Sequence, residues 1–99
     1  MTTISKKELI KIVEDYAAHL NLTILIPENE YFDLDELRRS GDRWSILNEG
    51  VTKAKTAYNG TVRTNEGCAQ YIKEHVKSGD IVSYYSNAFD IPETVHRIS

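Results

Sequence analysis

The sequence has little cysteine and no long hydrophobic run. Cys68 is the single cysteine among 99 residues, which excludes an intramolecular disulfide framework and a Cys-x-x-Cys zinc site. Charged residues interrupt the apolar ones near the N-terminus, so this stretch is not a signal-peptide hydrophobic region. The longest apolar run, residues 22–26, is interrupted by Thr23 and is far too short to span a membrane. We therefore expect a complete, cytoplasmic protein that makes no contact with membranes.

The sequence also lacks the residue clusters from which catalytic and metal sites are built. His19 and His96 have no ligand-like spacing to each other or to acids. Cys68 and His75 are seven positions apart, about 10 Å on a helix, which is too far for a thiolate–imidazole pair. We interpret Cys68 as a small buried thiol, with a reactive thiol in a first helical turn as the alternative. We expect no enzymatic activity, no cofactor and no bound metal.

The overall composition is that of one globular domain. Hydrophobic residues make up 40% of the chain and charged residues 27%, which is ordinary for a folded protein. Ninety-nine residues are enough for one core, whereas two halves would each be too small. We therefore predict a single domain over residues 1–99. The net charge of −3 gives no general attraction to nucleic acid or anionic lipid.

Local patterns predict two main helices. Ser5 and Glu8 have the spacing of a capping box, in which each side chain satisfies a free backbone N–H group of the other residue. Apolar residues then recur every three or four positions, which predicts a helix over residues 6–20. Asn65 is placed to cap the second helix, over residues 66–78.

Strands are predicted on both sides of the second helix. Residues 22–26 form a short, branched, apolar run that is followed by a proline, which is typical of a buried strand. Residues 80–86 predict a further strand, in which Tyr84 and Tyr85 point to opposite faces. The tail, residues 87–99, is split by a proline and is expected to form a loop and a short helical or extended end.

The central segment, residues 51–64, predicts a β-hairpin with a basic surface. Two β-prone runs flank Asn59-Gly60, the dipeptide that best suits a type I′ turn. The segment contains no acid, and its three bases reverse the charge of the acidic chain: Lys53, Lys55 and Arg63. Together these elements predict the α+β class, as a small, mostly antiparallel sheet with a central hairpin, packed against two main helices.

An acidic segment, residues 28–36, precedes the hairpin. Five of its nine residues are acids, and a divalent cation would need several such oxygens, but the segment lacks the ligand pattern and turn glycine of a calcium loop. Three acids have local roles in a short helix predicted over residues 34–39: Asp33 as cap, with Asp35 and Glu36 in the first turn. The remaining two, Glu28 and Glu30, stand beside Tyr31 and Phe32. We interpret these four residues as a protein-docking edge.

Taken together, these patterns favour a small, non-enzymatic protein-binding module. It would act as an inhibitor, adaptor or decoy that occupies the surface of a partner protein, of the kind that phages and mobile elements often encode. Two alternatives stay open: a nucleic-acid binder that uses the hairpin 51–64, and a binder of a small anion such as a nucleotide between hairpin and helix. Homodimerisation through an uncovered sheet edge is also open. The predicted partner-binding residues are Glu28, Glu30, Tyr31, Phe32, Lys53, Lys55, Tyr58 and Arg63.

Overall fold

The computed structural model describes residues 2–27, 54–63 and 67–99, and these form a sheet covered by helices. The five strands form one sheet in the order β1-β5-β4-β2-β3, which confirms the predicted α+β class. Along the chain the elements are β1 (Thr2–Ile4), α1 (Lys6–Asp15), β2 (Asn21–Pro27), β3 (Ala54–Thr61), α2 (Cys68–His75), β4 (Ile81–Ser86) and β5 (Ile91–Ile98).

The sheet is mixed, so the expectation of a mostly antiparallel sheet was wrong. Strand β1 runs parallel to β5, whereas β2 pairs antiparallel with β3 and β4, and β4 pairs antiparallel with β5. Three residues carry too little periodicity to predict β1 as a strand. Whether β1 runs parallel or antiparallel to its neighbour depends on the direction of β5, which the turn after β4 sets.

Both helices pack on one face of the sheet. In β2, Leu22 and Ile24 point toward the helices, whereas Leu25 points to the opposite face and joins Ile81 in a second, smaller cluster. This alternation is the two-residue period of a strand. The larger cluster joins the two helices to the sheet through these buried side chains: Ile4, Leu9, Val13, Leu20, Leu22, Ile24, Val62, Cys68, Ile72, Val76, Val82, Tyr84 and Ile98.

Helix α1 begins with the predicted capping box. The Ser5 hydroxyl accepts a hydrogen bond from the Glu8 N–H at 3.0 Å, and the Glu8 carboxylate accepts one from the Ser5 N–H at 3.4 Å. The helix ends at Asp15 instead of residue 20. Ala18 has a φ of 74°, and its N–H donates to the Val62 carbonyl at 2.6 Å. A tertiary hydrogen bond therefore replaces the last helical turn.

Helix α2 is shorter than the predicted range of residues 66–78. It spans Cys68–His75, after Gly67 in the left-handed region at a φ of 66°. The chain is extended at Val76, where ψ is 133°. The predicted cap, Asn65, lies outside the described residues, as do the helix predicted over 34–39 and the segment 28–53.

The predicted strands at residues 22–26 and 80–86 are confirmed, and the tail forms a further strand. Tyr84 is buried, with 8% of its surface exposed, whereas Tyr85 is 36% exposed, so the two tyrosines do face opposite ways. Pro92 lies within β5. It is tolerated there because β1 pairs only with residues 96–98 of β5, which leaves Pro92 at an edge of the described sheet.

The predicted hairpin over residues 51–64 is wrong. Asn59 and Gly60 lie inside the continuous strand β3, where they pair with Thr23 and Leu22. Neither residue has the positive φ that a type I′ turn requires. Pairing along the whole of β2 supplies more backbone hydrogen bonds than a two-residue turn would, so the tertiary partner overrides the local preference.

Asp80 fastens the connection between α2 and β4. Its side chain is buried and accepts a hydrogen bond from the Lys77 N–H at 2.9 Å. Its backbone N–H donates to the Lys77 carbonyl, and its own carbonyl accepts from the Ile98 N–H at 2.8 Å. One residue therefore closes the turn after α2 and ties it to β5.

Replacing Asp80 by alanine should lower the free energy of unfolding by about 1–3 kcal/mol, because the Lys77 N–H loses a buried acceptor. Urea denaturation followed by circular dichroism measures this loss. Asp80→Asn keeps an acceptor oxygen of the same shape and should lose less. Equal losses in the two variants would show that the carboxylate oxygen has no such role.

Candidate functional site

Five of the predicted partner-binding residues lie outside the described residues. They are the four residues of the docking edge and one lysine of the basic segment: Glu28, Glu30, Tyr31, Phe32 and Lys53. The docking edge over residues 28–32 therefore stays a prediction.

The other three predicted residues, Lys55, Tyr58 and Arg63, do not form one contact cluster. Lys55 and Arg63 are both exposed, but they are eight positions apart along extended chain, which separates them by roughly 26 Å. Tyr58 is half-buried and packs against the helix-side core. Its hydroxyl donates to the Thr61 carbonyl at 3.4 Å. The strand therefore spreads the two charges and turns the aromatic ring inward.

Tyr58 points to the helix side as its partner Ile24 does, and a β-bulge lies next to it at Ala57. The β2–β3 register shifts between Ile24 and Leu25, which pair with Tyr58 and Thr56, so Ala57 is the extra residue of β3. Ala57 also packs against the helix-side core. The two-residue alternation predicted for a regular hairpin does not hold across this point.

Neutral polar side chains line β2 and β3 on the face away from the helices. The Thr61 hydroxyl donates to the Asn21 amide oxygen at 2.8 Å, and the Thr23 hydroxyl donates to the Asn59 amide oxygen at 3.1 Å. Tyr85 lies opposite Asn21 on β4, in the same row. Cross-strand hydrogen bonds of this kind fix the register of the pair.

Three aromatic rings from two parts of the chain meet, and we call Tyr16, His19 and Phe89 the aromatic patch. Tyr16 is half-buried against the core, whereas His19 and Phe89 are exposed. Phe89 is 49% exposed, the largest exposed fraction among the described large hydrophobic residues. The centroid of its ring lies 5.1 Å from that of Tyr16, at an interplanar angle of 58°. The His19 ring lies 5.2 Å away in an edge-to-face arrangement at 83°. Both separations are typical of favourable aromatic pairs.

Two chain reversals bring these three rings together. Tyr16 is the C-cap of α1. The left-handed Ala18 then turns the chain, so that the His19 ring also contacts the Phe89 ring. Phe89 lies in the turn between β4 and β5. Its N–H donates to the hydroxyl of the fully buried Ser86 at 3.3 Å. The backbone of Phe89 is therefore anchored while half of its side chain faces water.

The buried Tyr84 pairs with the half-buried His96. The Tyr84 hydroxyl is 3.2 Å from His96 Nε2, and the two rings are 5.8 Å apart. Burial raises the pKa of Tyr84 above its ordinary value of 10.0, and the nearby Tyr16 raises it further. Tyr16 packs against the core cluster that contains Tyr84, so the two features share the helix-side core.

An apolar pocket of about 190 Å³ lies between α1 and the start of α2. Cys68 lies in its wall, and its side chain is buried with 5% exposed, which agrees with the interpretation as a small buried thiol. His75 stacks on Tyr71 at 4.9 Å and is exposed. The complete lining is Val13, Glu14, Ala17, Val62, Arg63, Gly67, Cys68 and Ala69.

Within residues 2–27, 54–63 and 67–99, no three His, Cys, Asp or Glu side chains are grouped so that they could hold a metal ion. Neither α1 nor α2 is long and apolar enough to cross a membrane, and the described part of the chain has no other helix.

Comparison with known proteins adds no assignment. The chain matches no family model, no curated protein and no solved structure at a significant level. The case for any function therefore depends on the geometry described above.

Sequence reasoning did not identify the aromatic patch. Tyr16 was interpreted as one of the apolar residues of the α1 stripe, and His19 as an isolated histidine. Helical spacing does not relate the two residues, because the helix ends at Asp15 and the left-handed Ala18 turns the chain between them.

The raised pKa of Tyr84 should make the folded protein lose stability at high pH. Above pH 10 the unfolded chain releases this proton while the folded chain still holds it. The free energy of unfolding therefore falls as the pH rises, and this fall levels off only above the folded-state pKa. Tyr84→Phe has no such proton, so its stability should fall less over this range. Urea denaturation at about pH 8 and about pH 10.5 measures the difference.

Tyr85→Phe is the matched control for this experiment, since it removes an exposed hydroxyl from the next residue of the same strand. It should follow the wild-type pH dependence. A Tyr84→Phe variant that loses as much stability as the wild type would contradict the expected contribution of Tyr84.

Proposed function

We propose that this protein is a small, non-enzymatic protein-binding module that occupies a partner's surface through the aromatic patch. The observation that carries the proposal is the half-exposed Phe89 ring, held between Tyr16 and His19. Aromatic side chains are enriched at protein interfaces, and a few of them supply most of the binding energy. An inhibitor, adaptor or decoy would need only such a surface.

The anchoring of Phe89 supports this proposal. A contact residue that is already ordered loses little conformational entropy on binding. The hydrogen bond to Ser86 fixes the backbone, and two aromatic neighbours restrict the ring. Phe89 is therefore preorganised for contact although about half of its surface faces water.

Tyr85 extends the proposed contact surface around the same end of the sheet. It is 36% exposed and pairs across strands with Asn21, which accepts the hydrogen bond from Thr61. Tyrosine beside amide and hydroxyl groups combines apolar area with adaptable hydrogen bonding, as in antibody paratopes. The docking edge at Glu28, Glu30, Tyr31 and Phe32 stays a second proposed contact.

The nucleic-acid alternative has less support. It needs cations that converge on one groove, whereas Lys55 and Arg63 lie near opposite ends of β3. The small-anion alternative would use the pocket beside Arg63, but the Glu14 carboxylate lines the same pocket and would repel an anion.

Phe89→Ala should abolish partner capture while the protein stays folded. A hot-spot truncation costs about 2 kcal/mol or more, which is roughly a 30-fold loss of affinity. Tagged wild-type and variant proteins are used to capture partners from a lysate of the source organism, and quantitative mass spectrometry compares the bound proteins. The lysate is treated with nuclease, so that capture through nucleic acid is removed.

Lys73→Ala is the control for this capture, because Lys73 is exposed on α2 and belongs to no part of the proposed surface. It should capture the same protein as the wild type. Circular dichroism verifies that each variant is folded. A partner that the Phe89→Ala variant captures as well as the wild type does would contradict the proposal.

A further inference from the structure

The segments that form the aromatic patch contain acids and no lysine or arginine. Residues 12–27 carry Tyr16 and His19, residues 78–96 carry Phe89, and neither segment has a basic residue other than histidine. Asp15 directly precedes Tyr16, and Asp90 directly follows Phe89; both carboxylates are exposed. The patch is therefore apolar in its middle and negative beside it.

Of the acids next to the aromatic patch, Asp90 is the best candidate to bind a cation of a partner. Lys11 contacts the Asp15 carboxylate at 3.0 Å, from the preceding turn of α1. Glu14 lines the pocket that Arg63 also lines. Among the described residues no salt bridge to Asp90 is present.

We infer that the aromatic patch takes a cationic segment of the partner protein, with an arginine or lysine side chain against the exposed face of Phe89 and beside Asp90. This inference rests on the proposed protein-binding function. A cation is attracted to the face of an aromatic ring, and a guanidinium group also donates hydrogen bonds to a neighbouring carboxylate. The half-exposed ring of Phe89 supplies the aromatic face, and the exposed Asp90 supplies the carboxylate, that an arginine side chain can bind.

The backbone of Asp90 makes a clean variant available. Its φ of 52° lies in the left-handed region, which asparagine tolerates about as well as aspartate. Asp90→Asn therefore removes the charge without disturbing the turn that holds Phe89. Its effect on binding reports on charge alone.

The test is an NMR titration of the isotope-labelled full chain with the peptide acetyl-Gly-Arg-Gly-Arg-Gly-amide, and with the same peptide carrying Glu in place of Arg. The arginine peptide should shift the resonances of His19, Phe89 and Asp90, and the glutamate peptide should not. Phe89→Ala and Asp90→Asn should each weaken binding of the arginine peptide about two- to five-fold, as for an exposed cation–π contact.

A control is needed because other exposed acids lie outside the aromatic patch. Glu74→Gln removes an exposed carboxylate from α2, which is no part of the proposed surface, and this variant should bind the arginine peptide as the wild type does. Peptide binding that is lost in this variant, or that is unchanged in both Phe89→Ala and Asp90→Asn, would overturn the inference.

The capture experiment separates this inference from the proposed function. If Phe89→Ala loses the partner and Asp90→Asn also weakens its capture, the inference is supported. If Phe89→Ala loses the partner and Asp90→Asn captures it normally, the protein-binding function stands and the cationic partner is excluded. Full capture by both variants contradicts both the proposed function and this inference.

Discussion

Strand β2 is the constraint on which the rest of the structure depends. It is paired along both edges, with β3 and β4, and its side chains are buried on both faces. Leu22 and Ile24 point toward the helices, and Leu25 points to the opposite face, each with 1% or less of its surface exposed. Burial of one such side chain stabilises a fold by about 1.5–3 kcal/mol. The helices, the neighbouring strands and the end that carries the aromatic patch are all arranged around this strand.

The parts of the fold that could be predicted from the sequence are those whose pattern is local. The capping box at Ser5 depends only on Glu8, three positions later, and the run at residues 22–26 is apolar enough to be a strand in almost any context. Asn59-Gly60 shows the opposite case, because the same two residues suit a tight turn and an edge strand. The choice depends on a partner strand more than 30 positions earlier in the chain, and no local pattern encodes that partner.

The candidate site could be predicted only in part, for the same reason. Alternation along β4 correctly sent Tyr84 and Tyr85 to opposite faces, and the structure shows that Tyr84 is the buried one. No periodicity relates Phe89 to Tyr16, which lies 73 positions away, and their contact depends on where two chain reversals meet. Tyr58 was predicted as a partner-binding residue, whereas in the continuous strand β3 it lies opposite Ile24 and packs against the helix-side core. Side-chain direction is predictable within a regular element, whereas contact between elements requires the topology.

The parallel pairing of β1 with β5 has a consequence for how the sheet assembles. Thr2 lies opposite His96, and the Ser99 N–H donates to the Ile4 carbonyl at 3.0 Å. Strand β1 therefore pairs with a strand that lies more than 90 positions later in the chain. Closing a loop of this length carries a larger entropic cost than closing a local one, and such contacts form slowly. We therefore expect β1 to join the sheet late in folding, after the pairs formed by strands closer in sequence.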